Sequence, residues 1–246
     1  MRPVVNPKIN EMSYTIRSPK IMPRTSATEH SQKLSAKLGT KPLIVSAGMP
    51  RSGSTLLFNI LREILSIRWP DQVSAGWHGD IFELPEGSIY LVKTHNLDQY
   101  YRFRAEHIFY SYRDVRVAAI SSMKKFNVNP SICKIRNDIK EYLVAKKFSD
   151  HIIKYEDLVS KPAWPIQQIA RSLEISVDPE EIIEKTFNLQ PPKEISGAYS
   201  KETLLHKGHF TNTKDDEWRG LLPEGLKKEI NDEFSWWFEE CGYPIS

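Results

Sequence analysis

Apolar and polar positions along the chain fall into short strand-like runs followed by helical periods. Residues 43–45 (Leu-Ile-Val) form a continuous apolar run after Pro42, the pattern of a buried strand. Residues 48–53 hold two glycines, a proline and small polar neighbours, which predicts a tight turn. Apolar residues then return at helical spacing at Leu56, Leu57, Ile60, Leu61, Ile64 and Leu65. The succession recurs. Residues 88–92 predict a second strand. Residues 107–112 predict a third, leading into a helix with Val115, Val117, Ala118, Ile120 and Met123 on its apolar side. Residues 130–147 read as one basic amphipathic helix, and 151–155 as a fourth strand before a helix interrupted near Pro162 and Pro165. Asp178-Pro179-Glu180-Glu181 is a helix start with acids in its first turn. Residues 68–86 look irregular. From 190 to 216 the pattern fails, which predicts a long loop. Pro223 opens a closing helix through Glu240, with Leu226, Ile230, Phe234 and Phe238 on one face and its charges on a solvated one. Strands alternating with helices, without internal repeats, predict an α/β fold: a three-layer sandwich around a mostly parallel central sheet.

Residues 1–40 lack any sustained apolar period and are rich in Pro, Ser, Thr, Lys and Arg, which predicts a flexible basic arm ahead of a single domain over 41–246. An acid-poor, Arg- and Ser-containing arm is also what a transit peptide looks like. The arm changes how charge is read. The formal net charge is +3, but eight of the 34 Lys and Arg and two of the 31 Asp and Glu lie in residues 1–41, leaving 26 basic against 29 acidic. With no basic stripe interleaved with aromatics, a nucleic-acid partner is not indicated. No apolar run approaches the roughly 18 residues of a membrane span. The two cysteines, Cys133 and Cys241, are far apart, as in a cytoplasmic protein with reduced thiols, and no metal-ligand spacing occurs.

The candidate chemistry gathers where strands end. A strand feeding a glycine-containing loop that opens a helix aims backbone N–H groups and the positive end of a helix dipole at one spot, an anion site. Gly48 and Gly53 have the spacing of the P-loop pattern, but Ser54 stands where its lysine belongs and the cation, Arg51, lies inside the loop. That shift suggests a phosphate held without metal-assisted cleavage; an ordinary Gly/Ser turn is the alternative. Lys93-Thr94-His95 ends the second strand, and residues two apart there can point into one crevice. Arg113 ends the third strand, and Ser121 lies a little over two helical turns further on, so a guanidinium and a hydroxyl can share a phosphate. An Arg paired with a nearby acid is the plainer reading. In the irregular stretch, Trp77 and His78 are candidates to touch a second substrate, or Trp77 simply packs.

Four stretches together resemble the sulfotransferases that use 3′-phosphoadenosine 5′-phosphosulfate (PAPS). Met49-Pro50-Arg51-Ser52-Gly53-Ser54-Thr55 is similar to the family's P-loop-like 5′-phosphosulfate loop. Lys93-Thr94-His95 resembles its strand-end motif, whose His is the usual catalytic base. Arg113 and Ser121 have the eight-residue step of its 3′-phosphate ligands, and Tyr155-Glu156-Asp157-Leu158 resembles a signature near the nucleotide. The resemblance covers residues 43–158 and departs in two places. Leu56 stands where many members have a Trp stacked on adenine, which leaves that packing to another group such as Tyr155. His206-Lys207-Gly208 precedes Trp218 by a longer gap than the family's Arg-Lys-Gly and Gly-Asp-Trp, with Lys207 and Gly208 in position to keep the 3′-phosphate contact.

The resemblance implies transfer of a sulfuryl group from PAPS to a hydroxyl or amine of a small soluble acceptor, with PAP as product and no metal. Arg51, Ser52, Gly53, Ser54 and Thr55 would hold the 5′-phosphate, Lys93 would lie by the sulfuryl group, and His95, with a reference pKa of about 6.5, would take the acceptor's proton. A P-loop small-molecule kinase needs a lysine after Gly53 and a magnesium-binding acid; a non-catalytic nucleotide-binding protein on the same fold needs neither Lys93 nor His95.

Overall fold

Five strands form the sheet of the computed structural model, which describes residues 29–191 and 198–245. They are β1 (Leu43–Gly48), β2 (Val73–Trp77), β3 (Ile89–Thr94), β4 (His107–Tyr112) and β5 (His151–Lys154). Their order is β2-β3-β1-β4-β5, and each pairing is parallel. Alternate residues of a strand face opposite sides, and the core divides accordingly. Leu43, Val45 and Ala47 of β1 join Tyr90, Val92, Ile108 and Tyr110 in one apolar cluster. Ile44 joins Ile89, Leu91, Phe109 and Ile153 in the other.

Helices cover both clusters. The first lies against α1 (Glu29–Leu38), α3 (Gln99–Arg104), α4 (Val115–Phe126), α5 (Ile132–Phe148), α9 (Trp218–Leu221) and α10 (Glu224–Cys241). The second lies against α2 (Ser54–Arg68), α6 (Tyr155–Ser160), α7 (Ala163–Ser172) and α8 (Pro179–Phe187). Helices on two faces of a parallel sheet make the three-layer α/β sandwich the pattern predicts.

Two elements depart from the sequence reading. The stretch read as irregular contains β2, an edge strand. Val73, Ala75 and Trp77 alternate with the buried Ser74 and Gly76, but over only five residues, amid Pro70, Gly79 and Pro85, the alternation does not stand out. The second departure lies within the expected arm. Residues 29–38 form α1, with Leu34 and Leu38 fully buried in the core. Two apolar residues one turn apart in a polar helix are too few to register as a period. Residues 1–28 of the expected arm lie outside the described residues.

At the C-terminal end, Arg116 is fully buried yet well satisfied. It pairs with Asp114 (2.7 Å), donates to the Pro244 carbonyl (2.6 Å), and lies 3.9 and 4.0 Å from the Trp218 and Phe238 rings. Asp114 also caps α4 by accepting from the Arg116 N–H. The acid next to Arg113 in sequence is therefore the partner of Arg116. The charges of α10 are likewise not only a solvated face: Arg136–Glu233 and Lys146–Glu240 bridge it to α5. Among the described residues no helix is long and apolar enough to cross a membrane.

Candidate functional site

The chain passes from β3 on one side of β1 to β4 on the other, so the crevice beyond the carboxyl ends of these three strands is a topological switch point. Each strand delivers one part of the site. After β1, the loop 49–53 turns tightly: Met49 N–H donates to the Ser111 carbonyl, and Ser52 Oγ bonds Met49 O and Ser111 O. Gly48 is required here, because a Cβ would sit 2.3 Å from Ser111 Oγ. Gly53 has φ +74°, and a Cβ on it would meet the Tyr155 ring at 2.7 Å. Arg51 itself takes φ 68°, a conformation that non-glycine residues rarely hold. Gly53 is the N-cap of α2 and supplies no side-chain cap, so the helix start presents its N–H groups to the crevice.

After β3, Lys93 is buried and His95 partly so. Lys93 pairs in register with Trp77 of β2, which puts its ammonium 5.0 Å from the indole centroid; the His95 ring lies 5.4 Å from the same indole. His95 Nδ1 is 2.7 Å from the Gly48 carbonyl. A carbonyl only accepts, so Nδ1 carries the proton and Nε2 keeps its lone pair. Burial foremost, then the Lys93 charge, pushes the His95 pKa down to about 3, well below the reference value, so the imidazole is neutral at physiological pH. Burial, with the Arg51 charge behind it, lowers Lys93 to about 8. The Arg51 guanidinium is lowered by burial and then by its neighbour Arg113.

After β4, Arg113 lies 4.2 Å from the Tyr155 ring, pairs with Asp215 at 2.8 Å, and has a buried Nε–H with no hydrogen-bond partner. Ser121, two turns along α4, accepts from Arg51 Nε at 2.9 Å. A buried unsatisfied guanidinium N–H beside a second arginine and a hydroxyl suits a phosphate oxygen.

One cavity of about 510 Å³ gathers these groups. Of the residues singled out from sequence, Arg51, Gly53, Ser54, Thr55, Trp77, Lys93, His95, Arg113, Ser121 and Tyr155 line it. Ser52, His78, Lys207 and Gly208 do not. Ser52 is spent holding the loop, His78 packs edge-on to Trp77, and Lys207 and Gly208 are exposed, with the Lys207 carbonyl accepting from Lys125. His206, His209, Thr211 and Thr213 line it instead. Burial pushes His209 down to about 3. Leu56, Phe187 and Leu204 supply apolar wall, and no Asp or Glu is among the described residues of the lining. Residues 209–213 were missed because they sit in a stretch with no period. The polar run Thr211-Asn212-Thr213 was the available signal, and only the fold shows that it returns to the β4 end.

No family model matches this sequence, and no curated protein matches it. The fold is similar to that of mouse sulfotransferase SULT7A1 complexed with PAP, at a TM-score of 0.57 and 15% identity over 85% of this chain and 89% of that chain. Retinol dehydratase in complex with retinol and PAP aligns at a TM-score of 0.47 and 16% identity, over 83% of this chain and 84% of that chain. At these identities the likeness to the mouse sulfotransferase concerns fold alone.

Proposed function

We propose that this chain is a PAPS-dependent sulfotransferase that sulfates a hydroxyl or amine of a small-molecule acceptor, with His95 as general base. One observation carries the reading: three cations, Arg51, Lys93 and Arg113, line a cavity with no Asp or Glu among the described residues of its lining, Asp215 reaching Arg113 from outside it, beside a neutral histidine whose Nε2 is an open acceptor. The sulfotransferase fold supports it.

PAPS supplies an activated sulfuryl group, and the residues divide the remaining work. Arg113, through its unpartnered Nε–H, and Ser121 hold the 3′-phosphate. Arg51 and the N–H groups of Gly53, Ser54 and Thr55 hold the 5′-phosphate at the helix start. His95 Nε2 takes the proton from the acceptor hydroxyl as its oxygen bonds to sulfur. Arg51 and Lys93 stabilise the negative charge left on the 5′-phosphate oxygen as its bond to sulfur breaks. Tyr155, fixed between Gly53 and Arg113, walls the nucleotide side, with Leu56 and Phe187 in place of an indole. Trp77, against Lys93 and His95, faces the acceptor. We assign the catalytic domain to residues 29 onward, since α1 is part of the core. The free thiols Cys133 and Cys241 fit a cytoplasmic setting.

Replacing His95 tests the enzyme reading. His95→Ala should lose about a hundredfold or more in turnover, the range of general acid–base catalysis, while binding adenosine 3′,5′-bisphosphate (3′,5′-ADP) as tightly as the parent. A folded His95→Ala protein that transfers sulfate at the parental rate would remove His95 from the mechanism.

A further inference from the structure

The phosphate-binding side chains are not idle in this structure. A strap formed by residues 209–215 occupies them. Arg51 Nη2 donates to the His209 carbonyl (2.8 Å) and reaches Thr211 Oγ1 at 3.4 Å. Ser121 Oγ shares a hydrogen bond with Thr211 Oγ1 (2.8 Å), which also bonds Thr213 Oγ1 (3.0 Å). Arg113 Nη2 donates to the Thr213 carbonyl (3.3 Å) and to Asp215 Oδ1 (2.8 Å). The strap is fastened at both flanks by the end of α4: Lys125 donates to the Lys207 carbonyl, and Lys124 pairs with Glu217 at 2.6 Å. Its oxygens therefore occupy the same two arginines and the same serine that the nucleotide's 5′- and 3′-phosphates would meet.

The pairing of Arg113 with Asp215 is lopsided. The Arg113 side chain is 7% exposed, whereas that of Asp215 is 72% exposed. A buried guanidinium needs a counter-charge, since an uncompensated buried charge is costly. An exposed carboxylate can return to water at little cost, because such ion pairs are weak. Resting on the reading that this cavity takes adenosine 3′,5′-bisphosphates, we propose that Asp215 is a built-in stand-in for the 3′-phosphate. Its carboxylate neutralises Arg113 in the free protein, and the nucleotide's 3′-phosphate displaces it. The exchange frees the centre of the strap while the Lys124–Glu217 fastening holds its end. It also makes release of the strap conditional on a 3′-phosphate, because a nucleotide with only a 5′-phosphate leaves the Arg113–Asp215 pair intact.

Calorimetric titration of 3′,5′-ADP and 5′-AMP at fixed ionic strength tests this on four full-length proteins: the parent, Asp215→Asn, Asp215→Ala and Asp216→Asn. Removing the competing charge should tighten 3′,5′-ADP about fivefold in both Asp215 variants, the scale of an exposed ion pair. Affinity for 5′-AMP should not change, and Asp216→Asn, which alters a neighbouring charge, should behave as the parent. Equal or weaker binding of 3′,5′-ADP by both Asp215 variants overturns this inference alone. Failure of 3′,5′-ADP to bind any of the four overturns the nucleotide reading itself, and this inference with it.

Discussion

At the scale of single residues, the site is a problem in charge placement. Lys93 has its proton held loosely, at a pKa of about 8, because burial and the Arg51 charge both disfavour the ammonium. Its charge is present below that value and lost above it. If the ammonium stabilises the leaving oxygen, kcat/KM should fall as pH rises through about 8, and Lys93→Arg, which cannot lose its proton in this range, should move that limb upward. A profile whose alkaline limb stays in place in Lys93→Arg would assign the limb to another group. His95 behaves in the opposite sense. Being neutral down to about 3, it should produce no acid limb near 6.5, so the free enzyme should show a flat profile between about pH 5 and 7. The residue types at the strand ends were legible in the sequence because Arg51, Lys93, His95, Arg113 and Ser121 sit at fixed offsets from strands that periodicity locates. The shifts in their pKa values were not, since those depend on burial and on neighbours such as Trp77 that only the sheet register supplies.

At the scale of elements, strands β1, β3, β4 and β5 were visible as apolar runs, and α2, α4, α5, α8 and α10 as periods or caps. Edge strand β2 was hidden by its shortness, five residues, and by Pro70, Gly76, Gly79 and Pro85 in and around it. Helix α1 was hidden because only Leu34 and Leu38 of its ten residues are buried. Lys207 and Gly208 are exposed and lie outside the cavity lining, while His206 and residues 209–213 line it, an arrangement that sequence distance to Trp218 does not reveal. Arg116 links several elements from a fully buried position. It ties the start of α4 to α9, α10 and the C-terminal carbonyls, and its removal leaves the Asp114 carboxylate buried without its partner. Arg116→Ala should lower unfolding free energy by about 3–5 kcal/mol, the cost of breaking a buried pair from one side. Urea titration reads this as a lower midpoint at constant slope. A loss under about 1 kcal/mol, the surface ion-pair range, would mean that the pair contributes little.

At the scale of the whole molecule, α1 places two leucines in the apolar cluster on one face of the sheet. Deleting residues 1–38 should lower the thermal midpoint, because two fully buried leucines are each worth about 1.5–3 kcal/mol. Deleting only residues 1–28 leaves α1 in place and keeps both leucines in the core. An unchanged midpoint in the longer deletion would show that α1 is not part of the stable core. A ligand that binds only the native state raises its stability by RT ln(1 + L/Kd), with L the free ligand concentration, so unfolding reports what the assembled crevice binds. The most direct measurement is thermal unfolding of the full chain with EDTA in the presence of 3′,5′-ADP or 5′-AMP, compared with ATP plus magnesium. This account predicts a clear upward shift with 3′,5′-ADP, a smaller one with 5′-AMP, and no need for metal. Stabilisation by ATP and magnesium with none by 3′,5′-ADP would contradict it.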